Sequence, residues 1–326
     1  MNYVKFLFFF FFLFTVPAKS LPKCETGKLP VEWNNCIGNI LLPDEKWEKG
    51  RDYTGEFRNG KPNGNGTAIW PDDPANNKYE GKWKDGKRHG KGTQSTGEGY
   101  RIVGIWINDS MKGKGTLFFP ESIQKEFNYK SVEGTLDNYD FNGKALATYM
   151  NGTKVSLEYE DGTVIKAGQW YSVKSEDEFE DKKQIYFYSA KIPPNIPLSF
   201  PYKDSDPFVG IGCEKRGEKD WCWVYMKFKA LNMTDGAIQD GYMDYTIRVK
   251  LESGKIENFT VKNKTGSDVV HFYNDLKINE YMRENKELLI EFNHYGDGKR
   301  HYKIDTLGFD HIMDSNFPDQ YWMRTR

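Results

Sequence analysis

Histidine and cysteine are scarce, at five and four in 326 residues. No two histidines have the i, i+4 helical spacing of a zinc hydrolase, and neither cysteine pair is C-x-x-C. His294 and His301 flank Gly296-Asp297-Gly298 and can face each other across a hairpin, but solvated hairpin positions are the simpler reading. The carboxylate run Glu176, Asp177, Glu178, Glu180, Asp181 reads as a solvated loop rather than a calcium site. There is no G-x-S-x-G, no P-loop and no dinucleotide fingerprint. These gaps point to a chain that is not an enzyme and uses no cofactor or metal. A large excess of one charge is also missing: the formal net charge is −1, which does not suggest a nucleic acid as main partner.

Long apolar runs are absent after the N-terminus. Phe6 to Val16 is apolar, follows Lys5, and is followed by Ala18-Lys19-Ser20 with small residues at −3 and −1 of a cleavage site. That layout predicts a signal peptide over 1–20, since a membrane span needs roughly 20 apolar residues. An uncleaved anchor stays open as the alternative. Export makes the cysteines disulfide candidates, and four cysteines allow three pairings. Sequence neighbours are the simplest choice, Cys24 with Cys36 and Cys213 with Cys222, with free thiols or metal as the alternative.

What the chain does have is an internal repeat. Tyr53-Thr54-Gly55-Glu56-Phe57 is followed by Gly60, Gly64 and Gly66. The frame recurs as Tyr79-Glu80-Gly81-Lys82-Trp83 with Gly86, Gly90 and Gly92. It returns as Ile102-Val103-Gly104-Ile105-Trp106 with Gly113 and Gly115, where Asp109 replaces the turn glycine. A worn copy has Val132, Gly134, Leu136, Gly143 and Ala145. The tail of another unit precedes them at Cys36-Ile37-Gly38, and a fainter unit starts near Val155. Tyr, Gly and an aromatic at i, i+2 and i+4 share one face of a strand. Asn59-Gly60 and Asp85-Gly86 are tight-turn chemistry. One hairpin is marginal alone, so stacked neighbours must stabilise each unit.

These residues resemble the MORN family, with its Tyr-x-Gly-x-Trp followed by Gly-x-x-x-Gly-x-Gly. The resemblance implies β-hairpins stacked into an elongated twisted sheet over 21–165. It also implies a binding role, because such arrays have been proposed to contact acidic lipids, to dimerise and to dock proteins.

The expected partner face is an aromatic row, Tyr53, Phe57, Tyr79, Trp83 and Trp106, flanked by Lys84, Lys87 and Arg88. Pure structural packing is the competing reading for the rings. Between residues 51 and 119 there are twelve Lys/Arg against eight Asp/Glu, a net +4. Protein docking in the cell envelope, including self-association, is the leading expectation. A glycan or acidic-lipid surface is the alternative.

From about Trp170 the glycine period stops. Alternating apolar runs at 184–189, 208–213, 223–229, 245–251, 256–261, 288–292 and 301–304 predict an antiparallel sandwich-like domain over 166–326. Two short helices are expected near 276–285 and 309–314, and 193–207 is a proline-rich loop. Trp170 to Ser175, a strand ending at Cys213, Met243 to Arg248, and Asp305-Thr306-Leu307-Gly308-Phe309 resemble, in their order, a periplasmic domain of type VI secretion-associated proteins. That resemblance implies an accessory β-domain without catalysis. A hydrolase in this half is the remaining alternative. The fold class expected is all-β throughout, and the location expected is exported, secreted to a bacterial periplasm or envelope.

Overall fold

The computed structural model describes residues 20–43, 50–71, 73–177, 182–199, 202, 206–216, 219–231, 233 and 236–316. The segment expected to direct export, 1–20, lies outside these residues except for its last one. Packing divides the chain into two units, one up to Gln94 and one from Ser95 onward. Most elements are strands, as the sequence predicts.

The first unit contains β1 (Cys36–Leu42), β2 (Arg51–Arg58), β3 (Lys61–Ile69), β4 (Lys78–Lys84) and β5 (Lys87–Ser95). β1 pairs antiparallel with β2, β2 with β3, and β3 with β4. The glycines of the repeat fall opposite one another: Gly38 against Gly55, Gly55 against Gly66, Gly66 against Gly81. The tail unit expected at Cys36-Ile37-Gly38 is therefore a strand in register with the array.

Two glycines of the first repeat are needed for different reasons. Gly64 has φ +107°, a backbone region that side chains resist. Gly66 has ordinary φ, but a Cβ there would run into the ring and hydroxyl of Tyr53. The hairpin turn has positive φ at both central residues, Asn59 at 50° and Gly60 at 73°. Such a turn matches the right-handed twist of the flanking strands. The third repeat keeps the same turn geometry without glycine, at Asn108 and Asp109, because short polar side chains tolerate the left-handed region.

The second unit begins with β6 (Arg101–Ile107), β7 (Ser110–Phe118), α1 (Glu121–Phe127), β8 (Tyr129–Asp137), β9 (Asp140–Tyr149), β10 (Lys154–Glu160) and β11 (Thr163–Ala167). Gly104 pairs with Gly115, Gly115 with Gly134, and Gly134 with Ala145. The worn copy is thus a hairpin in register with the repeats, while β10 and β11, near Val155, pair as a hairpin that sets Leu157 rather than glycine opposite Ala145. The boundary expected at 165/166 falls within β11.

Next come β12 (Trp170–Asp177), β13 (Lys182–Ser189), β14 (Phe208–Arg216), β15 (Lys219–Lys227), β16 (Ala237–Gln239), β17 (Tyr242–Lys250), β18 (Ile256–Lys264) and β19 (Val269–Phe272). The chain ends with α2 (Asp275–Glu284), β20 (Glu287–His294), β21 (Gly298–Asp305) and α3 (Phe309–Asn316). Neighbours run β12, β13, β14, β15, β19, β18, β17, β20, β21, all antiparallel. Phe228, just after β15, meets Phe292 of β20 and Tyr302 of β21 at ring separations of 5.5 and 5.8 Å. The run is one continuous antiparallel sheet, curled so that the end of β15 meets β20 and β21.

Both helices form near the predicted positions and help close the core. α2 buries Ile278, Tyr281 and Met282, and α3 buries Phe309, Ile312 and Met313, in each case the i, i+3, i+4 stripe. Asn274 caps α2 by accepting the Lys277 backbone N–H at 3.1 Å. Trp170 of β12 packs on Phe309 at 4.8 Å and donates its indole N–H to the Asp305 carbonyl.

Both neighbour pairings of cysteine are present. Cys24–Cys36 ties the N-terminal segment to β1, beside a parallel bridge between Lys23 and Ile37. Cys213–Cys222 joins directly opposed residues of β14 and β15. These bonds suggest an oxidising, exported setting. Among the described residues no helix is long and apolar enough to cross a membrane.

Candidate binding surface

The aromatic row does not form an open face. Tyr53 and Tyr79 are fully buried, and Phe57 and Trp83 are 1% and 3% exposed. Their rings form an edge-to-face series with Trp33: Trp33–Phe57 at 4.9 Å, Phe57–Tyr53 at 5.3 Å, Tyr53–Trp83 at 5.0 Å and Trp83–Tyr79 at 5.3 Å. Each such pair adds about 0.5–1.5 kcal/mol beyond area burial. Trp106, in the second unit, is also fully buried. The five residues expected to meet a partner are core.

Their polar atoms complete the hairpins instead. The pairing of β2 with β3 shifts between Gly55 and Phe57, so Glu56 is a bulge residue. The Tyr53 hydroxyl donates to the Glu56 carbonyl at 3.1 Å, and Tyr79 donates likewise to Lys82 at 3.0 Å. Trp83 donates its indole N–H to the Gly66 carbonyl at 3.1 Å. Burial pushes the Tyr53 hydroxyl pKa well above its ordinary value, so it stays a donor at any physiological pH.

Of the three basic residues expected at the face, Arg88 belongs to this core as well. Its guanidinium lies 5.8 Å from the ring centroids of both Trp70 and Tyr79 and donates to the Gln94 side chain at 2.9 Å. Lys84 and Lys87 are exposed at the tip of the β4–β5 hairpin. Strand alternation puts Lys82 and Lys84 opposite the buried Tyr79 and Trp83. Together with Arg58, Asn63 and His89 they line a shallow cleft of about 500 Å³, with Asp85 at its rim. Among the described residues, Lys82, Lys84, Lys87 and Lys91 form no ion pair.

The second unit presents a different outer face. On β6 the buried Trp106 alternates with Val103, Ile105 and Ile107, which are 40%, 36% and 46% exposed. At the matching positions β2 carries Thr54, Glu56 and Arg58, and β4 carries Glu80, Lys82 and Lys84. Sequence reasoning missed this trio. Its signal was there: Ile102-Val103-Gly104-Ile105-Trp106-Ile107 is apolar in both phases, so whichever phase packs inward leaves an apolar strip outside. On β7, Lys112 and Lys114 are exposed, and Lys112 pairs with Asp137 at 3.7 Å.

The histidines are not paired across their hairpin. His294 is 2% exposed and hydrogen bonds the Tyr302 hydroxyl at 2.8 Å, while His301 meets Glu291 at 2.9 Å. Burial lowers the His294 pKa to about 4, so the solvated reading is corrected for this residue. His311 lies flat on Tyr129 at 3.8 Å, and burial lowers its pKa to about 3. Among the described residues no group of three or more His, Cys, Asp or Glu is placed to hold a metal ion. The side chains of the carboxylate run at 176–181 lie outside the described residues.

The MORN repeat profile matches three segments, residues 53–73, 79–99 and 103–122. They correspond to the hairpins β2–β3, β4–β5 and β6–β7, so the chain contains three MORN repeats. No curated protein matches the chain. The match ends at residue 122 and lends no support to the type VI secretion resemblance of the C-terminal half.

Proposed function

We propose that this is an exported, non-enzymatic scaffold that docks an envelope protein on the outer surface of its MORN hairpins. The observation that carries the reading is Val103, Ile105 and Ile107 standing exposed in a repeat whose inner face is already filled by Trp106. A strip of β-branched residues on solvent is costly to keep unless something covers it. Both disulfides and the N-terminal apolar run favour an oxidising, extracytoplasmic location. To test it, the mature chain and a Val103→Thr/Ile105→Thr/Ile107→Thr variant would be offered to envelope extract. One defined protein held by the first and released by the second, at equal melting temperature, is expected. Identical capture by both sinks the reading.

A second reading rests on the cleft bordered by Lys82, Lys84 and His89, whose lysines lack carboxylate partners among the described residues. It would suit an acidic lipid headgroup or envelope glycan. Co-sedimentation with anionic vesicles or peptidoglycan that disappears in Lys84→Gln/Lys87→Gln favours it. Unchanged sedimentation eliminates it.

A further inference from the structure

A second, separate surface lies on the outer face of β12 to β15 and β19. Side chains on this face are those opposite the buried Phe187, Val209, Ile211, Val224 and Met226. Here aromatic rings succeed one another strand by strand. Tyr171 stacks on Tyr188 at 5.6 Å with planes 16° apart. Tyr188 meets Phe208 at 6.0 Å, Phe208 meets Tyr225 at 6.3 Å, and Tyr225 meets His271 at 5.9 Å. A parallel pair, Tyr186 and Trp223, stands beside them at 6.3 Å. All are half-buried except the exposed His271.

Glycine shapes this row. Gly210 is directly opposite Tyr225 and Gly212 directly opposite Trp223. A Cβ at either glycine would collide with the facing ring, so each ring lies down over the strand beside it. The result is a broad platform with no deep pocket. Val173 adds an exposed aliphatic group at its border.

Polar groups punctuate the platform. Tyr186 donates to the Gln184 side chain at 2.7 Å, and Gln184 donates to Glu214 at 3.0 Å. Lysines flank it: the Lys166 ammonium is 4.9 Å from the Tyr171 centroid, Lys227 is cross-strand partner of Phe208, and Lys262 is cross-strand partner of His271. None of the three is ion-paired among the described residues. The described carboxylates nearby are Glu214, which accepts from Gln184, Glu158, cross-strand from Lys166, and Asp244, cross-strand from Lys262 and accepting from Tyr273 at 3.4 Å; neither Glu158 nor Asp244 closes to an ion pair with its lysine.

We propose that this face binds an extended acidic polysaccharide, one bearing uronic-acid carboxylates. A pyranose ring has an apolar C–H face that lies on an aromatic ring and a rim of hydroxyls that needs donors and acceptors. Rings advancing with the strand spacing, roughly 4.8 Å per strand, offer successive sugars successive platforms. Lysines at both ends and in the middle supply the charge complement of carboxylates spaced along a chain. A single-stranded nucleic acid carries a phosphate per base and is met by a continuous basic groove. Here three lysines serve the row, and Glu214 lies within it. An alkyl chain or apolar peptide finds no groove to enter.

The test is isothermal titration of the mature protein with hexameric oligogalacturonate, with the change in intrinsic tryptophan fluorescence that is lost in Trp223→Phe as a second readout. Saturable binding that weakens with salt is expected. The aromatic variant Tyr188→Leu/Tyr225→Leu is expected to weaken it about tenfold or more. The variant Lys227→Gln/Lys262→Gln, compared at equal melting temperature, is expected to weaken it severalfold and to flatten its salt dependence. The proposal is overturned by no binding at millimolar oligosaccharide, by equal binding of neutral cellohexaose, or by tighter binding of oligothymidylate. Affinity unchanged in both variants overturns it as well.

Discussion

Trp83 donates its indole N–H to the carbonyl of Gly66, so a ring from one repeat is anchored on the glycine of the repeat before it. The same ring meets Tyr53 edge-on at 5.0 Å. One side chain thus joins two hairpins by a hydrogen bond and by area burial.

Trp83→Ala is therefore expected to cost on the order of 3 kcal/mol and to loosen both adjoining hairpins. Chemical denaturation and amide exchange over β2 to β5 measure it. Unchanged stability would contradict the stacking.

Gly66→Ala places a methyl group against the Tyr53 ring and is expected to cost about 1–3 kcal/mol. In a Tyr53→Ala background the added methyl should be nearly harmless, so the two changes are strongly non-additive. A double-mutant cycle by urea unfolding reads this directly. Additive losses would mean that Gly66 is needed for backbone freedom rather than for space.

Acid should weaken the second unit. His311 and His294 have native pKa values lowered to about 3 and about 4, against an ordinary 6.5. Below about pH 6.5 the unfolded chain takes up protons that the native imidazoles refuse, so stability falls as pH drops toward 4. Burial lowers His271 as well, and it raises Asp275 to about 6, which acts in the opposite sense over roughly pH 4 to 6, one carboxyl against three imidazoles. Urea midpoints at pH 7 and pH 5 test the sign. Among the described residues the buried His311 Nε2 has no hydrogen-bond partner, so His311→Phe should keep the Tyr129 stack, lose no stability at pH 7 and reduce the acid sensitivity.

Reducing Cys213–Cys222 frees a hairpin whose cysteines are nine residues apart, and the chain-entropy argument assigns the bond about 2–3 kcal/mol. A Cys213→Ser/Cys222→Ser variant should unfold earlier by that amount while the repeat hairpins of the first unit keep their exchange protection.

The repeat hairpins were legible because their requirements are local. Turn residues at Asn59-Gly60 and Asp85-Gly86, left-handed φ at Gly64 and empty space at Gly66 all leave a mark in the sequence. So does the alternation that puts Tyr53, Gly55 and Phe57 on one side. Which side meets solvent is a long-range matter. Trp33 closes on Phe57 from outside the repeats, and Arg88 lies over Tyr79 and Trp70 from a position that no period in the repeat marks out. The expected face was therefore assigned the wrong way round at Tyr53, Phe57, Tyr79, Trp83 and Arg88, while Lys84 and Lys87 are exposed as their charge requires. The platform on β12 to β15 was hidden for a related reason. Tyr171, Tyr188, Phe208 and Tyr225 are scattered over more than fifty residues, and only the register of four strands brings them side by side.

The Cys24–Cys36 segment places the ring of Trp33 over Gly38 and its edge against Phe57. Trp83 leans its ring on the hairpin before it, whereas β1 is covered by Trp33 of this stapled segment, which acts as the lid at that side of the series. The array consequently has a polarity: shortening it from this side would bare β1 and the rings behind it, unless a bonded segment of the same kind were supplied.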